Sequence, residues 1–485
     1  MPGHEKASVT PLSIWDQCTS RFHIRLLLCF EVENSQREQV ASHLADTLGR
    51  LSSLRPDYAG RLHLGHRQGW VCLRESPDYE IPFDAHDITD EFGYTYQELK
   101  EASFPAKPFV HPRFGYEGAI ESPESRVPVA AVRAWFIDGG MLLATFLHHA
   151  FGDGACLLEF LRAFAAQSRG VHVELSGDRS LEFVRGNTGH EKARSFDQVL
   201  KSCPEFVKTL LSMGPNQPTL RPGGRSQDAY CKDGRIFVFT AVAIQGLKDT
   251  VSRLAPGPRP PSSYVVLASL IWAHAARARL STETHEASWG PADVATMTNP
   301  VNWRYRAFKE ESKGYYGNSA VLAQTTFNTD DLLRACEDEV MWASLVRRVE
   351  SCIRRVDEEY VRKRFELFDN ADDPRALGLL MDPRVPQDLA FNTWREFGAD
   401  EEWDLGVCVA HRENGVERNG DGGRRYVKPD QLRRSQDDWN IGGTLILPAR
   451  KGSEDYEVLL TIPAPAMQLL CCDRGFLKWV DRMHE

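Results

Sequence analysis

Several features that would place a chain in the membrane or in the secretory pathway are missing from this sequence of 485 residues. The longest apolar stretch near the start, residues 22–32, is interrupted by His23 and Arg25 and is too short to span a bilayer. Residues 1–10 are polar and lack the apolar core of a signal peptide. The sequence therefore predicts a soluble, cytoplasmic protein without a membrane partner.

Positive charge and paired cysteines are also scarce. The formal net charge of −10 argues against a broad nucleic-acid-binding surface. The 11 cysteines are scattered, no C-x-x-C pair occurs, and the neighbours Cys471 and Cys472 are poorly placed to bridge each other. We therefore expect reduced thiols, and neither a disulfide framework nor a metal site. With 42% hydrophobic and 26% charged residues, the chain is globular and long enough for two or three domains.

Residues 129–164 carry the strongest pattern. Two apolar runs, 129–137 and 141–147, flank an Asp-Gly-Gly turn, which predicts a β-hairpin. The second run leads into HHAFGDG at residues 148–154, and apolar residues at helical spacing follow, so we expect a helix to begin near Gly154. Two imidazoles and a carboxylate thus lie on a loop between a buried strand and a buried helix, which is a common location for catalytic groups.

This segment resembles the HHxxxDG motif of the chloramphenicol-acetyltransferase-like superfamily, which includes the BAHD acyltransferases and the condensation domains of peptide synthetases. The resemblance implies that His149 is a general base that takes a proton from an acceptor hydroxyl. It implies that Asp153, the acidic residue of the catalytic motif, keeps His149 oriented by holding the loop. A structural alternative for Asp153 is the N-cap of the following helix.

Further segments resemble BAHD elements over almost the whole chain. Near the start these are LSIWDQ at residues 12–17 and YAGRL at 58–62, and later NWRYR at 302–306 and GYYGN at 314–318. The resemblance implies that Arg304 pairs with Asp153, although Asn302 replaces the usual Asp. In some members of the family a Lys and a Ser contact the phosphates of coenzyme A, which makes Lys248, Ser262 and Ser263 candidates. A solvent-facing lysine and a helix N-cap explain these residues equally well.

Two late segments match the family in part. The triplet Asn392-Thr393-Trp394 resembles T-S-W, which implies substrate contacts and donors to a developing oxyanion. Residues 404–408, DLGVC, correspond to DFGWG: Asp404 and Gly406 keep their positions as structural support, whereas the other three residues differ. The chain is most similar to the fungal branch typified by trichothecene 3-O-acetyltransferase.

The resemblance implies an α/β fold of two chloramphenicol-acetyltransferase-like subdomains, each a mixed β-sheet with flanking helices. We place the N-terminal subdomain at residues 1–213 and the C-terminal one at 235–485, with a linker rich in Gly and Pro at 214–234. We also expect helices at 196–211 and 467–483, one long helix through 345–360, a loop near the pocket mouth at 104–118 and an exposed loop at 412–425.

The resulting hypothesis is a monomeric acyltransferase that uses acyl-CoA, by default acetyl-CoA, as cosubstrate, with no permanently bound cofactor. Its acceptor is a hydroxylated small molecule of secondary metabolism. Three alternatives stay open. One is a condensation-type catalyst that uses a carrier-protein thioester, or a recruited CoA-independent condensation or cyclisation. The others are a non-catalytic ligand-binding relic and a metal site on His148, His149 and Asp153.

Overall fold

The computed structural model describes residues 8–172, 174, 177–185, 194–209, 217–218, 231–282, 294–407 and 426–485. Most of the linker predicted at 214–234, the loop predicted at 412–425 and Cys408 of the DFGWG-like loop lie outside the described residues. Within the described ranges, no helix combines the length and the apolar character needed to cross a membrane.

Helices and strands alternate along the chain in a mixed α/β architecture, which confirms the predicted fold class. The strands are β1 Ser8–Pro11, β2 His23–Glu31, β3 Arg61–Leu64, β4 Val71–Glu75, β5 Phe83–Asp87, β6 Val127–Pro128, β7 Ala130–Ile137, β8 Gly140–His148, β9 Phe206–Lys208, β10 Gln217–Pro218, β11 Lys232–Phe239, β12 Val294–Asn302, β13 Ala320–Asn328, β14 Leu377–Leu379, β15 Leu389–Thr393, β16 Gln431–Arg433, β17 Gly443–Ile446, β18 Tyr456–Pro463 and β19 Arg482–His484. The helices are α1 Ile14–Gln17, α2 Arg37–Leu54, α3 Pro56–Ala59, α4 Thr89–Phe92, α5 Tyr96–Glu101, α6 Gly154–Ser168, α7 Glu182–Arg185, α8 Phe196–Leu200, α9 Ala241–Leu254, α10 Ser263–Leu280, α11 Thr329–Arg334, α12 Glu339–Arg354, α13 Glu358–Asp369, α14 Ala464–Leu470 and α15 Arg474–Leu477.

The predicted hairpin is confirmed and lies inside a five-stranded sheet of the order β16-β2-β8-β7-β5, beside which the first half forms a second, four-stranded sheet of the order β1-β4-β3-β6. Strands β7 and β8 pair antiparallel up to Ile137 and Gly140, and Gly139 takes a φ of +77° in the turn, a conformation that favours glycine. Both faces of β8 are covered: Leu143 and Leu147 pack into one apolar cluster and the alternate residues into another. The strand that leads to the motif is therefore fixed on both sides.

The largest described sheet of the second half runs in the order β13-β12-β15-β17-β18-β11-β19, and β14 joins β9 and β10 in a separate three-stranded sheet. The two halves are interleaved, because β16 comes from the second half and pairs antiparallel with β2 of the first. Trp403, Leu405 and Leu432, also from the second half, pack into the apolar cluster of the first. Residues distant in sequence thereby pack together in the core of the first half.

Three helix predictions were wrong in extent. The helix expected at 196–211 ends at Leu200 because Pro204, which disfavours helix at the residue before it, follows closely, and the chain then forms β9. The helix through 345–360 is interrupted: α12 ends at Arg354, and Asp357 caps α13. The closing helix at 467–483 is divided into α14 and α15 by the N-cap Asp473, and β19 follows.

Candidate active site

The HHAFGDG loop connects the end of β8 to the start of α6. His148 is the last residue of β8, and Asp153 is the N-cap of α6. Oδ1 of Asp153 accepts from two backbone N–H groups of the first helical turn at 3.0 and 3.3 Å. A Cβ on Gly154 would lie 2.5 Å from Cζ of Phe397, so only glycine allows this ring of the second half to approach. Both halves of the chain therefore meet at the start of α6.

Asp153 uses its other oxygen to anchor the loop to the second half. Its Oδ2 accepts from Nη1 of Arg304 at 2.9 Å and from the backbone N–H and hydroxyl of Ser319, both at 2.8 Å. The Arg304 guanidinium also donates to the carbonyl groups of Tyr315 and Gly317. Burial alone would raise the pKa of Asp153, but Arg304 and Ser319 outweigh it and hold that pKa below its usual value. The carboxylate is thus ionised and fully engaged in fixing the loop.

The two histidines of the motif differ in how many ring nitrogens are occupied. Nε2 of His148 lies 2.9 Å from the carbonyl oxygen of Gly118, and Nδ1 accepts from the backbone N–H of Ala150 at 3.1 Å. Burial, together with His23, His149 and Arg21, holds the pKa of His148 well below its usual value. His148 is therefore a neutral residue that fixes the backbone, with no ring nitrogen left for a substrate.

We expect the substitution His148→Ala to lower the free energy of unfolding, because it leaves the Gly118 carbonyl and the Ala150 N–H without their partner. Each unsatisfied buried group costs about 1–3 kcal/mol. Denaturant unfolding measures the change, and His86→Ala at an exposed position is the matched control. Equal stability of the two variants would contradict the structural assignment of His148.

His149 is only half-buried and keeps a nitrogen available. Its backbone N–H donates to the carbonyl oxygen of Phe22 at 2.8 Å, and Nδ1 lies 3.1 Å from Oδ1 of Asn318. Burial lowers the pKa of His149 below 6.5, against the opposing effects of its own backbone, Asp153, Asn318 and Asp16. The imidazole is therefore uncharged at neutral pH and able to accept a proton.

Three residues that the sequence analysis did not assign to the site surround this loop. Nδ2 of Asn318 donates to Oδ1 of Asp16 at 2.8 Å and to the carbonyl oxygen of His149 at 2.7 Å. Asp16 is completely buried, and Arg179 donates both to its Oδ2 at 3.2 Å and to the Phe151 carbonyl at 3.0 and 2.9 Å. LSIWDQ and GYYGN contain Asp16 and Asn318, so the signal for these two was present, whereas nothing in the sequence singled out Arg179.

The predicted oxyanion and substrate residues lie at the end of β15. Trp394 stacks on Phe397, with ring centroids 5.8 Å apart, and Phe397 in turn covers the first turn of α6. Thr393 is exposed, and its hydroxyl oxygen accepts from the backbone N–H of Arg395 at 3.3 Å. Oδ1 of Asn392 accepts from the backbone N–H of Thr393 at 2.7 Å. The Trp394–Phe397 stack brings this triplet close to the HHAFGDG loop.

Asp404 and Gly406 lie at the other end of α6. The backbone N–H of Asp404 donates to Oγ of Ser168, the last residue of α6, at 3.0 Å. The Gly406 N–H donates to Oδ1 of Asp404 at 2.8 Å, and its carbonyl accepts from Gln39 of α2 at 2.6 Å. A helix of this length spans about 20 Å. These residues therefore pack α6 against α2 and are remote from the motif loop.

The coenzyme A candidates lie on two neighbouring helices. Ser262 is the N-cap of α10, where its Oγ accepts from the Val265 N–H at 3.3 Å, and Ser263 is the first residue of that helix. Lys248 lies on α9 and is half-buried. The capping role of Ser262 is thus observed, and phosphate binding by these three residues stays a prediction.

An open cavity of about 1190 Å³ lies behind His148. Part of the loop predicted at 104–118 lines it, namely residues 112–113 and 115–118, and the Gly118 carbonyl is the one that accepts from His148. His149 is not among its lining residues. Among the residues that the structure describes, no group of three or more His, Cys, Asp or Glu side chains is arranged to hold a metal ion.

Comparison with known proteins identifies related chains. A family model described as "Transferase family" matches residues 4–471. An acyltransferase named easC from Emericella nidulans is 27% identical over 387 residues, which are 75% of this chain and 76% of that protein. A trichothecene 3-O-acetyltransferase from Saccharomyces cerevisiae is 23% identical over 269 residues, which are 53% of this chain and 52% of that protein.

Solved structures share the fold. The crystal structure of TRI101 from F. sporotrichioides, complexed with coenzyme A and T-2, superposes with a TM-score of 0.74 at 18% identity and covers 99% of this chain and 100% of that one. At this level of identity the likeness concerns the fold, including its two-half arrangement.

Proposed function

Because this chain belongs to the Transferase family, we propose that it transfers an acyl group from acyl-CoA to a hydroxyl group of a small-molecule secondary metabolite. Membership of the family confirms the resemblance to BAHD-like acyltransferases. The observation that carries the proposal is His149: a neutral, half-buried imidazole on a loop that Asp153 and Arg304 hold in place. The names of the relatives, an acyltransferase and a trichothecene 3-O-acetyltransferase, support the same reaction.

The reaction needs one base and a place for a transient negative charge. His149 takes the proton of the acceptor hydroxyl while the oxygen attacks the thioester carbonyl carbon, and a C–O bond forms. The tetrahedral intermediate then collapses, the C–S bond breaks, and the imidazolium of His149 returns its proton to the leaving thiolate. The products are the ester and free coenzyme A, and His149 ends in its starting state.

The other predicted residues have supporting roles in this proposal. Thr393 and Trp394, with Asn392 beside them, supply donors to the oxyanion of the tetrahedral intermediate. Lys248, Ser262 and Ser263 contact the phosphates of coenzyme A. Acyl-CoA and the acceptor approach from opposite faces between the halves 1–213 and 235–485, and the active unit is a cytoplasmic monomer without a permanently bound cofactor.

The test is thiol release from acetyl-CoA and longer acyl-CoAs, each incubated with a panel of hydroxylated terpenoids, alkaloids and polyketides. We expect acceptor-dependent release of free coenzyme A together with an acylated acceptor. Thiol release that occurs only with a carrier-protein thioester would show that the acyl donor is carrier-bound and is not free acyl-CoA. Tight binding of acceptors without any turnover would indicate the non-catalytic relic.

We also expect a specific dependence of turnover on pH. The base form of His149 is the neutral imidazole, and burial lowers its pKa below 6.5. The value of kcat at saturating substrates therefore rises with pH through an apparent pKa below 6.5 and is constant at neutral pH. An acid limb centred above the ordinary histidine pKa would contradict a desolvated base at this position.

A further inference from the structure

The amide of Asn318 has its orientation fixed by the His149 carbonyl, which can only accept a hydrogen bond, together with the carboxyl group of Asp16. Its Nδ2 lies 2.8 Å from Oδ1 of Asp16 and 2.7 Å from the carbonyl oxygen of His149. The carbonyl oxygen of His149 can only accept, so Nδ2 must be the donor on that side of the amide. Burial raises the pKa of Asp16, but that carboxyl group receives donors from Ser13, Arg179 and the Asn318 backbone. Turning the amide over would place its carbonyl oxygen against both acceptors. The NH₂ group must therefore face Asp16 and the His149 carbonyl, and Oδ1 must face the imidazole ring of His149.

This orientation determines which ring nitrogen of His149 carries the proton. Oδ1 of Asn318 lies 3.1 Å from Nδ1 of His149 and is an acceptor, so Nδ1 is the donor in the neutral ring. Nε2 then has the free lone pair. His148 has the opposite tautomer, because its Nδ1 accepts from the Ala150 N–H and its Nε2 donates to the Gly118 carbonyl.

We infer that Asn318, oriented by Asp16, is a positioning residue that holds His149 in the Nδ1–H tautomer and so makes Nε2 the proton-accepting atom. The inference rests on the proposed function for its catalytic consequence, whereas the tautomer itself is a property of the resting protein. The LSIWDQ element supplies the buried carboxylate of Asp16, and the GYYGN element supplies the amide of Asn318. A chain of hydrogen bonds, Arg179–Asp16–Asn318–His149, connects distant segments to one ring nitrogen.

The first test needs no functional assay. Protein labelled with ¹⁵N at histidine is examined by NMR near pH 8, where His149 is neutral (about 1.5 units above the ordinary histidine pKa), and signals are assigned by their loss in His149→Asn. We expect His149 to show a protonated Nδ1 and an unprotonated Nε2. A protonated Nε2 in the wild-type ring would overturn the inference and leave the proposed function untouched.

The second test removes the amide by Asn318→Leu, which is close to asparagine in volume and offers no acceptor. We expect the Nε2–H tautomer to gain population and kcat to fall by at least tenfold with little change in the KM for acyl-CoA. A buried histidine base held in the wrong tautomer loses as much as about 10⁴-fold in turnover. The matched control is Asn299→Leu: Asn299 is also buried and accepts from the Tyr264 hydroxyl, at 2.8 Å, away from the motif loop.

The outcomes separate the two proposals. Unchanged His149 signals and unchanged kcat in Asn318→Leu would overturn the role of Asn318. Loss of stability in Asn318→Leu and Asn299→Leu alike, with no tautomer change in either, would reduce Asn318 to a structural residue. Full turnover in His149→Asn would instead contradict the proposed use of His149, whatever the tautomer. If Asn318→Leu does not fold, Asn318→Ala, which also lacks the acceptor, takes its place, and a protonated Nε2 in the wild-type spectrum still overturns the inference.

Discussion

Replacing His149 by alanine is expected to reduce kcat by about 10²–10⁴-fold, the usual contribution of a general base. The expectation follows from the site: His148 has both ring nitrogens occupied and Asp153 has both carboxylate oxygens occupied. No other member of the motif is therefore placed to take the acceptor's proton. The measurement is the steady-state rate of acceptor-dependent coenzyme A release.

Two control variants separate chemistry from folding. His149→Asn places an amide nitrogen close to the position of Nδ1, so it keeps a donor for Asn318 while lacking a base. It should match His149→Ala in kcat and match the wild type in thermal stability. His66→Ala, at an exposed position, should leave both quantities unchanged. Wild-type kcat in a folded His149→Ala protein would contradict the assignment of the base.

The substitution Arg304→Met is expected to cost about 3–5 kcal/mol of the free energy of unfolding, because it leaves the buried carboxylate of Asp153 without its counter-charge. Arg304 and Asp153 expose only 8% and 4% of their surfaces, so water does not replace the lost partner. The loop that carries His149 loses its anchor to the second half as well, and kcat falls with stability. Urea unfolding at neutral pH measures the change.

The Asp153–Arg304 ion pair also predicts that a second substitution will recover part of the stability lost in Arg304→Met. Asp153→Asn in the Arg304→Met background removes the unpaired charge, and we expect it to restore part of the lost stability. Arg334→Met is the matched control, since Arg334 pairs with Asp331 at 3.1 Å on the surface with 61% of its side chain exposed. Such exposed pairs contribute at most about 1 kcal/mol. Equal losses for Arg304→Met and Arg334→Met would contradict the buried anchor.

The sequence predicted some features of the fold and not others. It predicted the hairpin and the start of α6, whereas it did not predict the ends of several other helices. Continuous apolar runs on both sides of Asp138-Gly139 fix the hairpin locally, and Asp153 before an apolar helical stripe fixes the N-cap. The ends of other helices were not predictable from apolar spacing alone, because Pro204, Asp357 and Asp473 interrupt or restart helices within patterns that continue past them.

The sequence indicates residues of the candidate site where a motif spans neighbouring positions, and it does not indicate those that only tertiary contacts bring together. The HHAFGDG motif of seven adjacent residues predicts the position of His149 on its loop. The hydrogen bond of His149 to Asn318, in contrast, joins residues 169 positions apart in the sequence. Arg179 lies in a polar stretch without a local signature, and only the fold brings it to Asp16 and the Phe151 carbonyl. The resemblance to the family identified the LSIWDQ and GYYGN elements, which contain Asp16 and Asn318. Only the structure shows what the side chains of these two residues contact.

Acyl transfer by this protein is measured most directly by following a labelled acetyl group from acetyl-CoA into an acceptor hydroxyl, with free thiol quantified in the same reaction. We expect one labelled ester for each coenzyme A released by the wild-type protein, and loss of both products in His149→Ala. Thiol release without ester formation would contradict acyl transfer to a hydroxyl. Ester formation at the wild-type rate in His149→Ala would contradict His149 as the base.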